Sequence, residues 1–413
     1  MHLAKMAWRN LWRRRRRTLI TGFTVGFGVM LAVTFTGTGD YMYTNMINAS
    51  AASGLGHVTV EPRGYNQTPT LDKRLTNSTW IRQRLLGLPE VSNAIVRITG
   101  QAMFASATKT VGGAFMAIDP AQESPEHNLL LRSLVEGGMF SGTTGRGAVV
   151  GERLAEKLNL ALGKKLVYTT TDAKGEIVSE IARVTGMFRT GVDEVDGAMA
   201  LLPIDRVRET LNYGPDDATL VAVMITDQRR AERVRDVMIR MVGSPEREVL
   251  SWHQTQADLA GLITVDASAN YISQALVSLL IAAGILNTLL MGVLERTREF
   301  GVMMAVGMSP GTLFRLVLME SFWLGLVGLG LGVLMTTPWY LYLYHVGLDF
   351  SGMLGGQDYN AAGVLVDPLM RIRLFKESVV AILGGVFVLA LVSGIYPAWR
   401  AGRIPPVESL RTI

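Results

Sequence analysis

The sequence predicts an α-helical membrane protein with four transmembrane helices and a large α+β extracytoplasmic domain inserted between helices 1 and 2. Three observations predict it. The 413 residues are 49% hydrophobic and only 18% charged, a balance too apolar for an ordinary soluble protein. Four stretches, Thr18–Gly39, Tyr271–Leu294, Leu316–Tyr344 and Ser378–Trp399, reach the ~20 apolar residues that a bilayer core requires. Between the first and second of them the composition turns mixed and strand-like. The formal charge of +5 is small for the length, and much of it sits in one N-terminal cluster, which speaks for a membrane surface and against a nucleic-acid partner. With no cysteine, disulfides, thiolate metal sites and cysteine nucleophiles are excluded.

Residues 1–17 form a basic amphipathic segment. Trp8 and Trp12 share a helical face, and Lys5, Arg9 and the run Arg13–Arg17 have no acid among them. Basic residues stay on the cytoplasmic side, so the N-terminus is expected in the cytoplasm, and four spans return the C-terminus there. The arginine run reads as a topology signal and an anchor to anionic membrane lipids. Residues 18–53 hold the first span and an outer segment, and 254–294 a second outer segment and the second span. Neither outer segment contains proline, which predicts helical stalks. The apolar run of the first span is too long for a cleaved signal peptide, and no A-x-A site follows it.

Residues 54–253 are the expected external α+β domain. Val58 and Val60 alternate with His57, Thr59 and Glu61, while Ala94–Ile98, Ala114–Ile118, Ile181–Phe188 and Ala198–Leu202 are further strand-like runs. Glu152–Asn159 and Arg229–Met241 read as helices, the second from Val234, Val237, Met238 and Met241 at three- and four-residue spacing. Residues 295–310 connect the second and third spans, 311–344 and 377–399 are the last two spans, and 345–376 is a glycine-rich outer loop expected to be irregular. Residues 400–413 are a cytoplasmic tail.

Several patterns look chemical and resolve otherwise. Gly307-Met308-Ser309-Pro310-Gly311 matches a nucleophile elbow, but that motif needs a preceding strand; Ser309 and Pro310 read as the N-cap and first turn of the third span. His2, His57, His127, His253 and His345 lack the spacing that puts two ligands on one helical face. Gly163-Lys164-Lys165 lacks the hydroxyl residue and the upstream glycine of a phosphate loop. Asp193, Glu194 and Asp196 read as a solvated turn rather than a calcium loop. No catalytic residue, no metal site and no cofactor bound by the chain is expected. Gly22/Gly26 and Gly328/Gly332 stand at the spacing that lets helices approach closely in lipid. Glu320 is an acid inside a span, costly unless paired; a pair with Arg315 or a hydrogen bond to Asn287 is expected, the alternative being a polar contact that shifts during a conformational cycle.

The connection Leu294-Glu295-Arg296-Thr297-Arg298-Glu299-Phe300-Gly301-Val302-Met303-Met304-Ala305-Val306-Gly307-Met308-Ser309 mixes charge with more apolar residues than a linker needs. It resembles the E-R-x-R-E-F-G-x-x-x-A-x-G-x-S signature of FtsX-like, MacB-type ABC transporter permeases. The stretch Gly394-Ile395-Tyr396-Pro397-Ala398-Trp399-Arg400 through Pro406-Val407-Glu408-Ser409-Leu410-Arg411 is similar to the family's terminal motif, with Ser409 for a usual alanine and Trp399 for a usual basic residue. Ala7-Trp8-Arg9-Asn10-Leu11 before a basic run is also typical.

The resemblance implies a permease subunit without its own ATPase site, paired with a second copy or a paralogue and driven by a separate cytoplasmic ABC ATPase that holds ATP and magnesium. It implies a coupling helix in which Glu295, Arg298, Glu299, Phe300, Gly301, Val302, Gly307 and Ser309 serve docking on that ATPase, and a mechanical stroke passed outward rather than a substrate channel. In the external domain, Gly56-His57-Val58-Thr59-Val60, Ala117-Ile118-Asp119-Pro120 and Val149-Val150-Gly151-Glu152-Arg153-Leu154-Ala155 follow an order similar to lipoprotein-releasing permeases of the LolC/LolE type. That implies an inner-membrane protein with a periplasmic domain that extracts lipoproteins or lipids and works with a lipoprotein carrier. The alternatives within the family are efflux of a drug, toxin or peptide with a periplasmic adaptor, and regulation of a cell-wall hydrolase.

Overall fold

The structure is a computed structural model that describes residues 2–349, 360–361, 364–365 and 369–403. In chain order it runs α1 (His2–Arg13), α2 (Arg15–Ser50), a π-helical turn at Ala51–Leu55, β1 (Val58–Pro62), α3 (Ser78–Leu86), β2 (Val91–Ala105), β3 (Thr110–Ile118), α4 (Leu129–Arg132), β4 (Leu134–Gly137) and β5 (Gly147–Gly151). There follow α5 (Glu152–Leu158), β6 (Lys165–Thr171), β7 (Ile177–Phe188), α6 (Asp193–Asp196), β8 (Met199–Pro203), α7 (Ile204–Thr210), β9 (Leu220–Ile225), α8 (Ala231–Val242), β10 (Arg247–Ser251) and α9 (Trp252–Thr255). The chain continues as α10 (Ala257–Glu295), α11 (Thr297–Ala305), α12 (Pro310–His345), β11 (Leu348–Asp349), β12 (Asn360–Ala361), β13 (Val364–Leu365), β14 (Leu369–Met370) and α13 (Lys376–Gly402). Two units emerge: 1–42 with 264–350 and 369–413, and 43–263 with 351–368.

Among the described residues of the first unit four helices, α2, α10, α12 and α13, are long and apolar enough to cross a membrane. With 36 and 39 residues, α2 and α10 extend to roughly 54 and 58 Å at 1.5 Å per residue, well beyond a ~30 Å hydrocarbon core. Small residues set their packing. A Cβ on Gly26 would lie 2.9 Å from the backbone nitrogen of Gly332, and one on Gly328 or Gly332 would meet Val25 at 2.7 Å or Val29 at 2.9 Å. The two glycine pairs therefore form one seam between α2 and α12, where lipid supplies no hydrophobic drive and close van der Waals approach holds the helices together. Polar bonds add to it: the Thr21 and Thr288 hydroxyls lie 2.6 Å apart between α2 and α10, Trp339 Nε1 donates to Thr34 Oγ1 at 3.0 Å, and Ser321 Oγ donates to the Ala390 carbonyl at 2.6 Å. Leu279, Leu280 and Val380 are exposed on the outside, as lipid-facing side chains are. The outer loop expected to be irregular begins and ends with an antiparallel pairing of β11 with β14; Gly352, Gly355, Gly356 and Gly363 lie outside the described residues.

The second unit is an α+β domain in which β2 serves two layers. Its first half pairs with β9 in the sheet β10-β1-β9-β2, and its second half pairs with β3 and β6. From β3 the ladder passes through β8, β5, β7 and β6 back to β2, closing a ring of six strands. Val58, Val60, Val96, Val221 and Val223 of the first sheet are buried with Ile81 and Leu85 of α3 and Val234 and Met238 of α8, while Phe104, Phe115, Leu166 and Tyr168 are buried among the ring strands. All five residues of β1 are buried, so the alternation read at Val58 and Val60 does not mark a solvent face.

Burial on both sides leaves polar groups that must be satisfied internally. His57 Nδ1 accepts from the Ile225 N–H at 3.2 Å and its Nε2 meets Asn48 Oδ1 at 2.9 Å; burial first, and the charge of His127 second, push it down to about 4. Arg97, fully buried, pairs with Glu123 at 2.7 Å and donates to the carbonyl of Gly54 at 2.6 Å. Gly54 has φ 150° inside the π turn, a conformation that a side chain would resist. Asp196, one of the acids read as a turn, spends its carboxylate on Thr190 and Gly191.

Glu61 on β1 stands opposite Glu248 on β10 and accepts from the Asn66 N–H at 2.8 Å. Burial, with the neighbouring Glu248 charge, pushes its carboxyl up to about 7. A raised carboxyl pKa favours the folded state fully below the ordinary value, and that contribution is lost as pH rises through the folded value. The Glu61 contribution to stability in detergent is therefore expected to fall by a few kcal/mol between about pH 4.5 and 7, and in the wild-type chain the opposite change at His57, held at about 4, offsets it over the same range. Glu61→Gln, which keeps the acceptor for Asn66, removes that loss; an unchanged pH profile in the variant would count against the assignment.

Candidate coupling site

The connection between α10 and α12 is a short helix seated by its apolar face. Arg296 breaks α10 from α11 with φ −112° and ψ 16°, and Gly307, at φ 103°, turns the chain toward α12. Ser309 caps α12 by accepting from the Thr312 N–H, with Pro310 in the first turn, as the sequence suggests. Phe300 is fully buried with Ala7, Val293, Leu313, Leu316, Val317, Ala398 and Ala401, drawing α1, α10, α12 and α13 around it.

Glu320 is the polar centre of this arrangement. Its Oε1 accepts from Arg296 Nη1 at 2.9 Å and from Asn10 Nδ2 at 2.8 Å. The Arg296 side chain is only 13% exposed and that of Glu320 11%. One carboxylate on α12 thus ties the N-terminal helix to the start of α11. The partners expected for it, Arg315 and Asn287, are not used. Arg315 lies five residues away, about 140° around the helix from Glu320, and is exposed; Asn287 is exposed on α10, and its backbone carbonyl accepts from Arg17 at 3.3 Å. The same Arg296 donates to Glu299 at 2.9 Å, and that bond holds the Glu299 carboxyl below its ordinary range. α1 is fixed a second time, because Trp323 Nε1 donates to the Ala4 carbonyl at 3.1 Å and packs edge-on against Trp8 with centroids 5.0 Å apart.

Apart from Gly307 and Ser309, which turn the chain and cap α12, the residues of the connection divide into three groups. Phe300 and Gly301 face inward and seat the helix. Glu295 and Glu299 are engaged by the arginine run: Arg14 and Arg17 pair with Glu295, and Arg13 lies 3.7 Å from Glu299. Arg298, Val302 and Val306 remain exposed, Val306 to 84%, with no ion pair at Arg298 among the described residues. Asn10 and Arg296 escaped the sequence reading as site residues, although both stand inside the motifs that carry the family resemblance. Among the described residues no group of three or more His, Cys, Asp or Glu is placed to hold a metal.

Comparison with known proteins places the chain in a family. Residues 18–240 match the MacB-like periplasmic core domain and residues 271–406 the FtsX-like permease C-terminal region. The chain belongs to this family and is an ABC transporter permease of the FtsX/MacB/LolC type. It is 25% identical over 338 residues to the lipoprotein-releasing system transmembrane protein LolC of Xylella fastidiosa, covering 78% of both chains. It is 24% identical over 412 residues to the macrolide export ATP-binding/permease protein MacB of Nitrobacter winogradskyi, covering 95% of this chain and 58% of that one. Among solved structures, the extracellular domain of YknZ from Gram-positive bacteria aligns in full with 47% of this chain, at 15% identity and a TM-score of 0.33.

The buried pair sets a test. Removing one partner of such a pair strands the other's charge, whereas replacing both by apolar residues is nearly neutral. Glu320→Leu is expected to cost about 3 kcal/mol in thermal unfolding of the detergent-purified chain, and Arg296→Met with Glu320→Leu to recover most of it. A double variant as unstable as the two single losses summed would show that the groups act independently.

Proposed function

We propose that the chain is the membrane subunit of an ABC transporter whose ATP is hydrolysed by a separate cytoplasmic ATPase, and that α11 is the helix on which that ATPase docks. The observation that carries this reading is the division of α11 into a buried face at Phe300 and Gly301 and an exposed ridge of Arg298 and Val302 that Val306, just past the helix, continues. A connector without a partner gains nothing from exposing apolar residues beside water. N- and C-termini lie in the cytoplasm, as the arginine run supports. The stroke of the ATPase enters at α11, reaches α12 through Arg296 and Glu320, and moves α10 and α2 with the periplasmic domain.

For the cargo we favour lipoprotein or lipid extraction from the inner membrane, with a periplasmic carrier as the next partner; the similarity to LolC across most of both chains supports it. Efflux with an adaptor is the second reading, supported by the match of residues 18–240 to the MacB-like core.

Two outcomes are expected. Val302→Asp with Val306→Asp leaves the chain inserted and stable but reduces co-purification of the ATPase from the native host at least tenfold, about 1.4 kcal/mol; undiminished co-purification removes the docking assignment. Mass spectrometry of the native complex is expected to find triacylated N-terminal lipopeptides, and an adaptor without lipopeptides would favour efflux.

A further inference from the structure

The five arginines at the junction of α1 and α2 do more than signal topology and attract an anionic membrane surface. Together with Trp12 and Glu295 they line a crevice of about 670 Å³. Arg13, Arg14 and Arg17 have acidic partners in Glu295 and Glu299. Arg15 and Arg16 are exposed and have no ion pair among the described residues. The five arginines therefore have two acidic partners, Glu295 and Glu299, among the described residues, a surplus of positive charge that an anion with several oxygens would satisfy through bidentate bonds. The crevice stands at one end of the membrane-crossing helices, with the half-buried Trp12 at its edge, which is the level of lipid headgroups. Its one acid, Glu295, is the last residue of α10, where the helix dipole disfavours negative charge and leaves the arginines to hold it.

We propose that this crevice binds the phosphate of an anionic phospholipid headgroup from the leaflet that holds α1, and that the headgroup competes with Glu295 for Arg14 and Arg17. Lipid charge then sets how firmly the arginine run grips the approach to α11. The binding site stands without the ATPase assignment; only its effect on coupling rests on that reading.

Binding is read directly by native mass spectrometry of the full chain in detergent, offered phosphatidylglycerol or phosphatidylcholine at equal concentration. Retention of phosphatidylglycerol in preference to phosphatidylcholine is expected. At about 1 kcal/mol per arginine, Arg15→Gln with Arg16→Gln lowers that affinity roughly thirtyfold. Glu295→Gln, which removes the competitor, raises it. Equal retention of the two lipids, or unchanged affinity in the Arg15/Arg16 variant, overturns the site, and no gain in Glu295→Gln overturns the competition. Displacement of the lipid by inorganic phosphate at the same concentration would assign the crevice to a soluble anion instead.

Discussion

A carboxylate placed inside a membrane-crossing helix has to be answered, and in this protein the answer to Glu320 organises one end of the bundle. Water is scarce there, so the charge is tolerated only with close donors. Arg296 and Asn10 supply them from two other elements. The position of α1 and the start of α11 follow from that need, and Phe300 completes the seat by filling the apolar space beneath α11. A helix held on one face by a buried ring and a buried ion pair, with its other face open, is suited to receive force and pass it on without bending.

The remaining contacts of the bundle complement this polar tie. The glycine seam between α2 and α12 lets the helices approach to backbone distance, so their relative position is set by shape rather than by any hydrophobic gradient. The external domain solves a related problem differently. With strands buried along both faces, His57, Glu61 and Arg97 are enclosed, and each is matched to a specific partner or held in its neutral form.

The spans, the short helix that connects the second and third of them, the cap at Ser309 and the two glycine pairs were legible in the sequence, because each rests on local composition or on spacing along one helix. The strand runs were legible too, but their extent was not. β2 runs over fifteen residues through Arg97 and Gln101, because pairing with β9, β3 and β6 in turn outweighs local polarity. The partners of Glu320 were missed for a similar reason. Asn10 is 310 residues away in sequence, and helical periodicity says which face a residue occupies, not which helix will cover it. The nearer choices failed on geometry, Arg315 by its turn around α12 and Asn287 by its exposure. The inward turn of Gly301 was likewise hidden, since the motif does not say which of its residues seat the helix and which meet a partner.

Because Glu320 joins them, α1, α11 and the start of α12 are expected to move as one body. The absence of cysteine makes it directly measurable. Spin labels at Arg9→Cys and Arg298→Cys, both exposed positions, report the distance between α1 and α11 by pulsed electron resonance, in the assembled transporter with and without ATP trapped on the partner. The account predicts a single narrow distance distribution that ATP leaves unchanged, and a broadened one when Glu320→Leu is added. A wild-type distribution that shifts or splits on ATP binding would contradict it.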